Sequence, residues 1–141
     1  MRPRPVVDAV NEPFWRAVGN GKLELAYCPA CRRFTHPPRA HCGDNACGGV
    51  LKWCEVSGRG VVWAVTTPRR EWVPGFDRTA PYGLFVVQLD EQADLLMTSD
   101  CDLETARQLA VGQPVEVTFE AHEGYTLPQF RPVSQAEAVT P

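Results

Sequence analysis

The chain has 141 residues, a formal net charge of −3 and six cysteines, which suits one compact domain or two small modules sharing a core. The acidic balance argues against a duplex-binding domain, whose affinity rests on basic contacts to phosphate. No apolar run approaches the ~20 residues that cross a bilayer, and residues 1–5, Met-Arg-Pro-Arg-Pro, lack the apolar stretch of an export signal. A cytoplasmic protein without membrane or nucleic-acid partners is expected.

Residues 1–10 read as frayed or loosely docked. Asn11 is placed to cap a helix, Pro13 fits its first turn, and Gly19 or Gly21 ends it. Phe14, Trp15 and Val18 form its short apolar face. Lys22 to Tyr27 alternates, with Leu23, Leu25 and Tyr27 on one face, as a strand would. From Cys28 to Cys47 the chain is rich in Pro, Arg, Gly and His and poor in core residues; a bound metal can replace the missing core. Trp53-Cys54-Glu55 is again strand-like.

After Gly58 the texture is β. Strands are predicted near Gly60–Thr67, Tyr82–Leu89, Asp94–Ser99, Pro114–Ala121 and Tyr125–Arg131, with Glu123-Gly124 turning the last hairpin. Asp102 caps a short helix from Leu103 to Leu109, ended near Gly112. Five strands with a helix between the third and fourth follow the order of an OB-type barrel. The long connection from Pro68 to Pro81 holds Arg69, Arg70, Trp72, Pro74 and Phe76, and so long a loop in a small domain is usually functional or mobile. The expected organisation is a helical segment over 1–21, a metal ribbon over 22–56, the barrel over 57–133, and a disordered tail over 134–141.

Cys28, Cys31, Cys42 and Cys47 follow the pattern C-x2-C, ten residues, C-x4-C. Four thiolates suit tetrahedral zinc in a closed, structural site. The second pair is two residues wider than the usual knuckle, though Gly43, Gly48 and Gly49 can supply the required turns. His41 replacing a thiolate, two disulfides, four free thiols and a rubredoxin-like iron centre are the alternatives. Cys54 is read as a small packing residue, and Cys101 sits before the short helix, where a thiol pKa can fall.

Nothing in the chain reads as a catalytic apparatus. No nucleophile elbow, paired-histidine zinc motif or phosphate-binding loop is present. Asp90, Glu91 and Asp94 lie at a hairpin turn, where solvated charge is the simpler reading. Trp53, Trp63, Trp72, Phe76, Tyr82 and Phe130 exceed what a small barrel needs inside, and aromatics with Arg69 and Arg70 are the residue types that anchor interfaces.

The order Phe14-Trp15, Gly21-Lys22-Leu23, Cys28-Pro-Ala-Cys31, Pro37-Pro38-Arg39, Ser57-Gly58-Arg59-Gly60, Pro74-Gly75-Phe76, Val111-Gly112-Gln113-Pro114 and Leu127-Pro128-Gln129-Phe130-Arg131-Pro132 resembles the OB-fold, zinc-ribbon family of acyl-CoA-associated proteins catalogued as domain of unknown function thirty-five. The wider Cys42–Cys47 knuckle departs from that pattern. The resemblance implies a mainly β protein: an N-terminal helix, a rubredoxin-like zinc ribbon and a five-stranded OB-fold barrel. It also implies structural Zn2+ and an accessory role in a hetero-oligomer with a thiolase-like enzyme, such as an aldolase that cleaves a β-hydroxyacyl-CoA in sterol side-chain breakdown. Catalytic residues would then sit on the partner. Arg69, Arg70, Trp72, Pro74, Phe76 and Phe130 would face that partner or acyl-CoA near the interface. A free-standing CoA-thioester carrier and a single-stranded nucleic-acid-binding protein are the competing functions.

Overall fold

The fold was obtained as a computed structural model, which describes residues 2–44, 46–71 and 74–133; Trp72 and the expected disordered tail lie outside the described residues. Helix α1 spans Glu12–Gly19 and buries Phe14, Ala17 and Val18. It stops at Gly21, which takes φ +73° while its N–H bonds the Val18 carbonyl at 3.0 Å, a left-handed termination open to glycine. The expected Asn11 cap is absent, since its side chain makes no capping bond. The amide instead folds back, accepting from the Asp8 N–H at 2.8 Å and donating to the Val6 carbonyl at 3.0 Å, because a short polar side chain competes equally well for its own preceding turn.

Two sheets follow. The smaller is antiparallel, with β1 (Glu24–Cys28) between β2 (Arg33–Thr35) and β3 (Lys52–Glu55). Strand alternation lets β1 serve two masters: Leu25, with Leu23 just before the strand, enters the main core, and Cys28 faces the other way and is fully buried. Tyr27, expected beside the two leucines, is half-buried and packs on Phe34 across the ladder, ring centroids 4.9 Å apart.

The larger sheet contains β4 (Arg59–Thr66), β5 (Gly83–Leu89), β6 (Leu96–Cys101), β7 (Pro114–His122) and β8 (Tyr125–Pro132), in spatial order β6-β5-β4-β7-β8. All pairs are antiparallel, and β4 carries a register shift between Val62 and Ala64. Gly60 is required where β4 crosses β5, because a Cβ there would stand 2.3 Å from the Gln88 carbonyl oxygen. Helix α2 (Leu103–Gln108) links β6 to β7, and Asp102 caps it by accepting from the Thr105 N–H at 2.7 Å.

This is the OB-fold order, but the outer strands β6 and β8 are not joined by a backbone ladder. Side chains make the seam. The Ser99 hydroxyl donates to the Gln129 amide oxygen at 2.7 Å and accepts from the Phe130 N–H at 3.0 Å. The same amide oxygen accepts from the Asp100 N–H at 3.2 Å, and the amide nitrogen donates to the Asp100 carboxylate at 3.2 Å.

One core then runs through all three parts: Phe14 and Val18 from α1, Leu23 and Leu25 from the ribbon, and Val62, Phe85, Val87, Leu89, Met97, Val115 and Phe130 from the barrel. The turn after β5 locks the ribbon down. The Gln92 amide accepts from the Phe34 N–H at 2.8 Å and donates to the Phe34 carbonyl at 3.0 Å, standing in for one more strand partner. Asp94 pairs with Arg33, and Glu91 accepts from the Ser57 N–H at 2.7 Å. The carboxylates read as plain solvated charge thus brace the module junction, apart from Asp90, whose N–H alone bonds across to Arg59.

Within the segment expected to be frayed or loosely docked, Arg2 is anchored. Arg2 is 8% exposed and bonds Asp100 at 2.6 and 3.0 Å and Asp77 at 2.9 Å. Arg78 adds a bond to Asp100 at 2.6 Å. Burial pushes the Asp100 carboxyl up, but donors from Arg2, Arg78 and Gln129 outweigh it and hold it at about 2. Among the described residues no helix is long and apolar enough to cross a membrane.

Two measurements test this packing. Replacing Gln129 by Ala strands the Ser99 and Asp100 groups of the seam and is expected to cost about 1–3 kcal/mol in urea unfolding. Burial also lowers the His36 imidazole to about 4 from its ordinary 6.5. Below pH 6.5 the unfolded chain takes up the proton first, so this contribution is complete above pH 6.5 and lost as pH falls toward 4. Wild type should lose up to about 3 kcal/mol more over that window than His36→Asn, with metal content followed in both.

Candidate metal centre

The local sequence builds two facing knuckles. In the first, Cys28 ends β1 and the chain turns through Pro29 and Ala30 to Cys31, closed by the Arg32 N–H on the Cys28 carbonyl at 2.7 Å. Arg32 takes φ +58°, the one non-glycine in the left-handed region among the described residues. The second knuckle absorbs its extra length around Asp44. Its carboxylate accepts from the Ala46 N–H at 2.9 Å, and its carbonyl accepts from the N–H groups of Cys47 at 3.0 Å and Gly48 at 3.2 Å. Asn45 lies outside the described residues. The Cys42 N–H closes the loop on the Gly49 carbonyl at 2.8 Å. Gly49 has no room for a side chain, since a Cβ would stand 3.0 Å from the Cys28 sulfur.

The four sulfurs lie within 4.8 Å of one another, with Cys28 to Cys47 at 3.6 Å and Cys31 to Cys42 at 3.4 Å. A tetrahedron with Zn–S near 2.3 Å sets its sulfurs about 3.8 Å apart, whereas a disulfide needs about 2.05 Å. All six cysteines are free thiols, so the disulfide alternative is set aside and the donor set fits zinc. The electrostatics point the same way. The Cys31 N–H and neighbouring donors pull the Cys28 thiol down to about 7. Its partner Cys31 is pushed up to about 12, foremost by its hydrogen bond with Cys42. A closed four-sulfur shell leaves no position for a substrate, which makes the centre structural. When bound, the metal supplies the fold energy that this ribbon lacks in apolar side chains.

His41, the possible substitute ligand, is exposed and sits in an isolated bridge with Val50. Cys54 is half-buried in β3. Cys101 is buried and burial pushes its thiol up to about 11, the reverse of an activated nucleophile.

Of the residues expected at an interface, Arg69, Arg70 and Pro74 are exposed. Phe76 is held between the Arg2 guanidinium, 4.7 Å from its ring centre, and Tyr82, centroids 5.2 Å apart. Phe130 is a correction: it is 5% exposed and part of the main core, because inward-facing positions of β8 alternate with outward ones and it falls on the inner face. Tyr82 is likewise buried, whereas Trp63 stands 53% exposed on β4. The Arg2–Asp100 anchor of the loop went unforeseen, since ninety-eight residues separate its two halves.

Stripping the metal should therefore disturb more than the ribbon. Metal analysis is expected to return a single zinc per chain. Cys42→Ser should lose it and unfold at a Tm at least roughly 10 °C lower, the barrel amides losing protection along with the ribbon's because Leu23 and Leu25 are shared.

Comparison with known proteins places these parts. Residues 15–49 match the family model of the ChsH2 rubredoxin-like zinc ribbon domain, and residues 53–120 match that of the ChsH2 C-terminal OB-fold domain. A chain of the solved Ltp2-ChsH2(DUF35) aldolase superposes with a TM-score of 0.76 at 27% identity, covering 92% of this chain and 98% of that one. A probable enoyl-CoA hydratase alpha subunit of Thermomonospora curvata is 30% identical over 97% of this chain, which spans 42% of that protein's length. Ribbon, barrel, four-cysteine cluster and both family models agree: the chain belongs to the ChsH2 family, in which a rubredoxin-like zinc ribbon precedes an OB-fold domain.

Proposed function

We propose that this chain is a non-catalytic accessory subunit that docks onto a thiolase-like enzyme acting on acyl-CoA thioesters, forming a hetero-oligomer in which the partner supplies the reacting residues. The carrying observation is the likeness, over nearly the full length of both chains, to a chain of an aldolase that is itself an assembly with Ltp2. The sites described here are compatible with that division of labour. The metal shell is closed. Among the described residues no serine, threonine or cysteine is hydrogen-bonded to a histidine: His36 has no partner at Nδ1, and His122 pairs with Glu120. The reaction we favour is retro-aldol cleavage of a β-hydroxyacyl-CoA, with a steroid-derived side chain as substrate. The hydratase relative supports CoA-thioester chemistry in the neighbourhood of this family.

For docking we propose the exposed Arg69, Arg70 and Pro74 of the 68–81 loop and the exposed side chain of Trp63. The loop is well suited, because its inner half is pinned at Phe76, Asp77 and Arg78, which reduces the ordering cost of binding. Co-expression with an Ltp2-type aldolase should yield a stable complex with aldolase activity, and the isolated chain should turn over no acyl-CoA. Turnover by the isolated chain would overturn the proposal. Charge reversal of both Arg69 and Arg70 to Glu should weaken the complex by roughly tenfold, ~1.4 kcal/mol, with Tm unchanged.

A further inference from the structure

Residues 76–78 of the long loop meet a side chain that is remote in sequence. Arg2 lies 75 residues from Asp77 and 98 from Asp100, and all three of its guanidinium nitrogens bond them. Nη1 and Nη2 donate to the two carboxylate oxygens of Asp100 at 2.6 and 3.0 Å. Nη2 also pairs with Asp77 at 2.9 Å, and Nε donates to it at 3.3 Å. The face of the guanidinium covers the Phe76 ring, 4.7 Å from its centre.

Two observations separate a hold on the loop from plain charge balance. First, Asp100 also accepts from Arg78 at 2.6 Å and from the Gln129 amide at 3.2 Å, so its charge is met without Arg2. Asp77 differs: among the described residues Arg2 is its one ion-pair partner. What Arg2 alone supplies is the bond to Asp77 and the cation on Phe76. Second, the segment that carries Arg2 has footing of its own. Its carbonyl accepts from the Tyr125 hydroxyl of β8 at 3.3 Å, and Arg4 lies over the same ring at 5.8 Å. Toward α1, the Asp8 carboxylate accepts from the N–H groups of Val10 and Asn11 at 2.9 and 2.8 Å. None of these contacts involves the loop, so Arg2 acts on the loop from a fixed post. The arrangement needs a guanidinium, because a lysine has no fork to serve two carboxylates and no planar face for Phe76.

We infer that Arg2 is the positioning residue of the 68–81 loop: it fixes residues 76–78 against β6, and so shortens the span that must be ordered when a protein partner engages Arg69 and Arg70, from 68–81 to 68–75. The consequence for docking rests on the accessory-subunit reading, and the hold on the loop does not.

The test uses the full zinc-loaded chain, its Arg2→Lys and Arg2→Ala variants, and an Ltp2-type aldolase. Backbone NMR order parameters at Phe76, Asp77 and Arg78 should stand near about 0.85 in wild type and fall below about 0.6 in both variants, and trypsin should then cut after Arg78. Order parameters over residues 28–35 of the ribbon and the zinc content should stay as in wild type. Asp77→Asn cuts the same link from the loop side and should loosen the same three residues, which covers the case in which neither Arg2 variant folds. Affinity for the aldolase should fall about fivefold in Arg2→Lys, yet by less than about twofold when the same change is added to Arg69→Glu with Arg70→Glu, since the loop contact is then already lost. Unchanged order parameters at residues 76–78 in Arg2→Ala and Asp77→Asn would overturn the assignment. Equal losses of affinity in the two backgrounds would also overturn it, because they would mark a general loss of stability. If wild type binds no such aldolase while the order parameters still fall, the docking reading is lost and the hold on the loop stands.

Discussion

Four cysteine sulfurs held within 4.8 Å of one another cannot all ionise without a cation among them, and much of the structure depends on that constraint. The ribbon between Cys28 and Cys47 brings few apolar residues of its own. Its shape is set by turns that aim sulfurs inward, and by a glycine at position 49, where an added Cβ would stand 3.0 Å from the Cys28 sulfur. Because Cys28 and Leu25 sit on one strand, facing opposite ways, metal geometry and core packing are mechanically the same object. The family's ribbon and barrel are joined in this chain by the Gln92 bridge and a shared core.

The parts legible in the sequence were those with local signals. Cysteine spacing marked the metal, period-two alternation marked the barrel strands, and Asp102 and Gly124 marked a cap and a turn. Each is written within a few residues. What escaped was long-range or degenerate. Asn11 has the right chemistry for a cap, yet its amide found partners at Val6 and Asp8 instead. Arg2 looked like part of a loose end because its partner Asp100 is distant in sequence. Phe130 advertised an interface by its type alone, and only the register of β8 against β7 shows which side of the sheet it takes. The turn carboxylates Glu91 and Asp94 read as solvated charge because their partners, Ser57 and Arg33, lie 34 and 61 residues away in the chain.

The functional reading leans on assembly, and the fold gives that reading a physical footing. Around the loop of residues 68–81, Phe76, Asp77 and Arg78 are pinned, while Arg69, Arg70 and Pro74 are exposed. Four of the six cysteines form a closed metal shell, and burial pushes the Cys101 thiol up.

The seam between β6 and β8 carries a consequence of its own. A ladder distributes cohesion over every residue it joins, whereas this closure is concentrated on Ser99, Asp100 and Gln129. Cohesion so concentrated fails as a unit. The barrel therefore has a built-in parting line, the route of its lowest-energy sub-global opening, with the β5–β4–β7 centre closed on either side of it. Amide exchange along β6 and β8 should be paced by that opening, and exchange at Val62 and Val87 by complete unfolding.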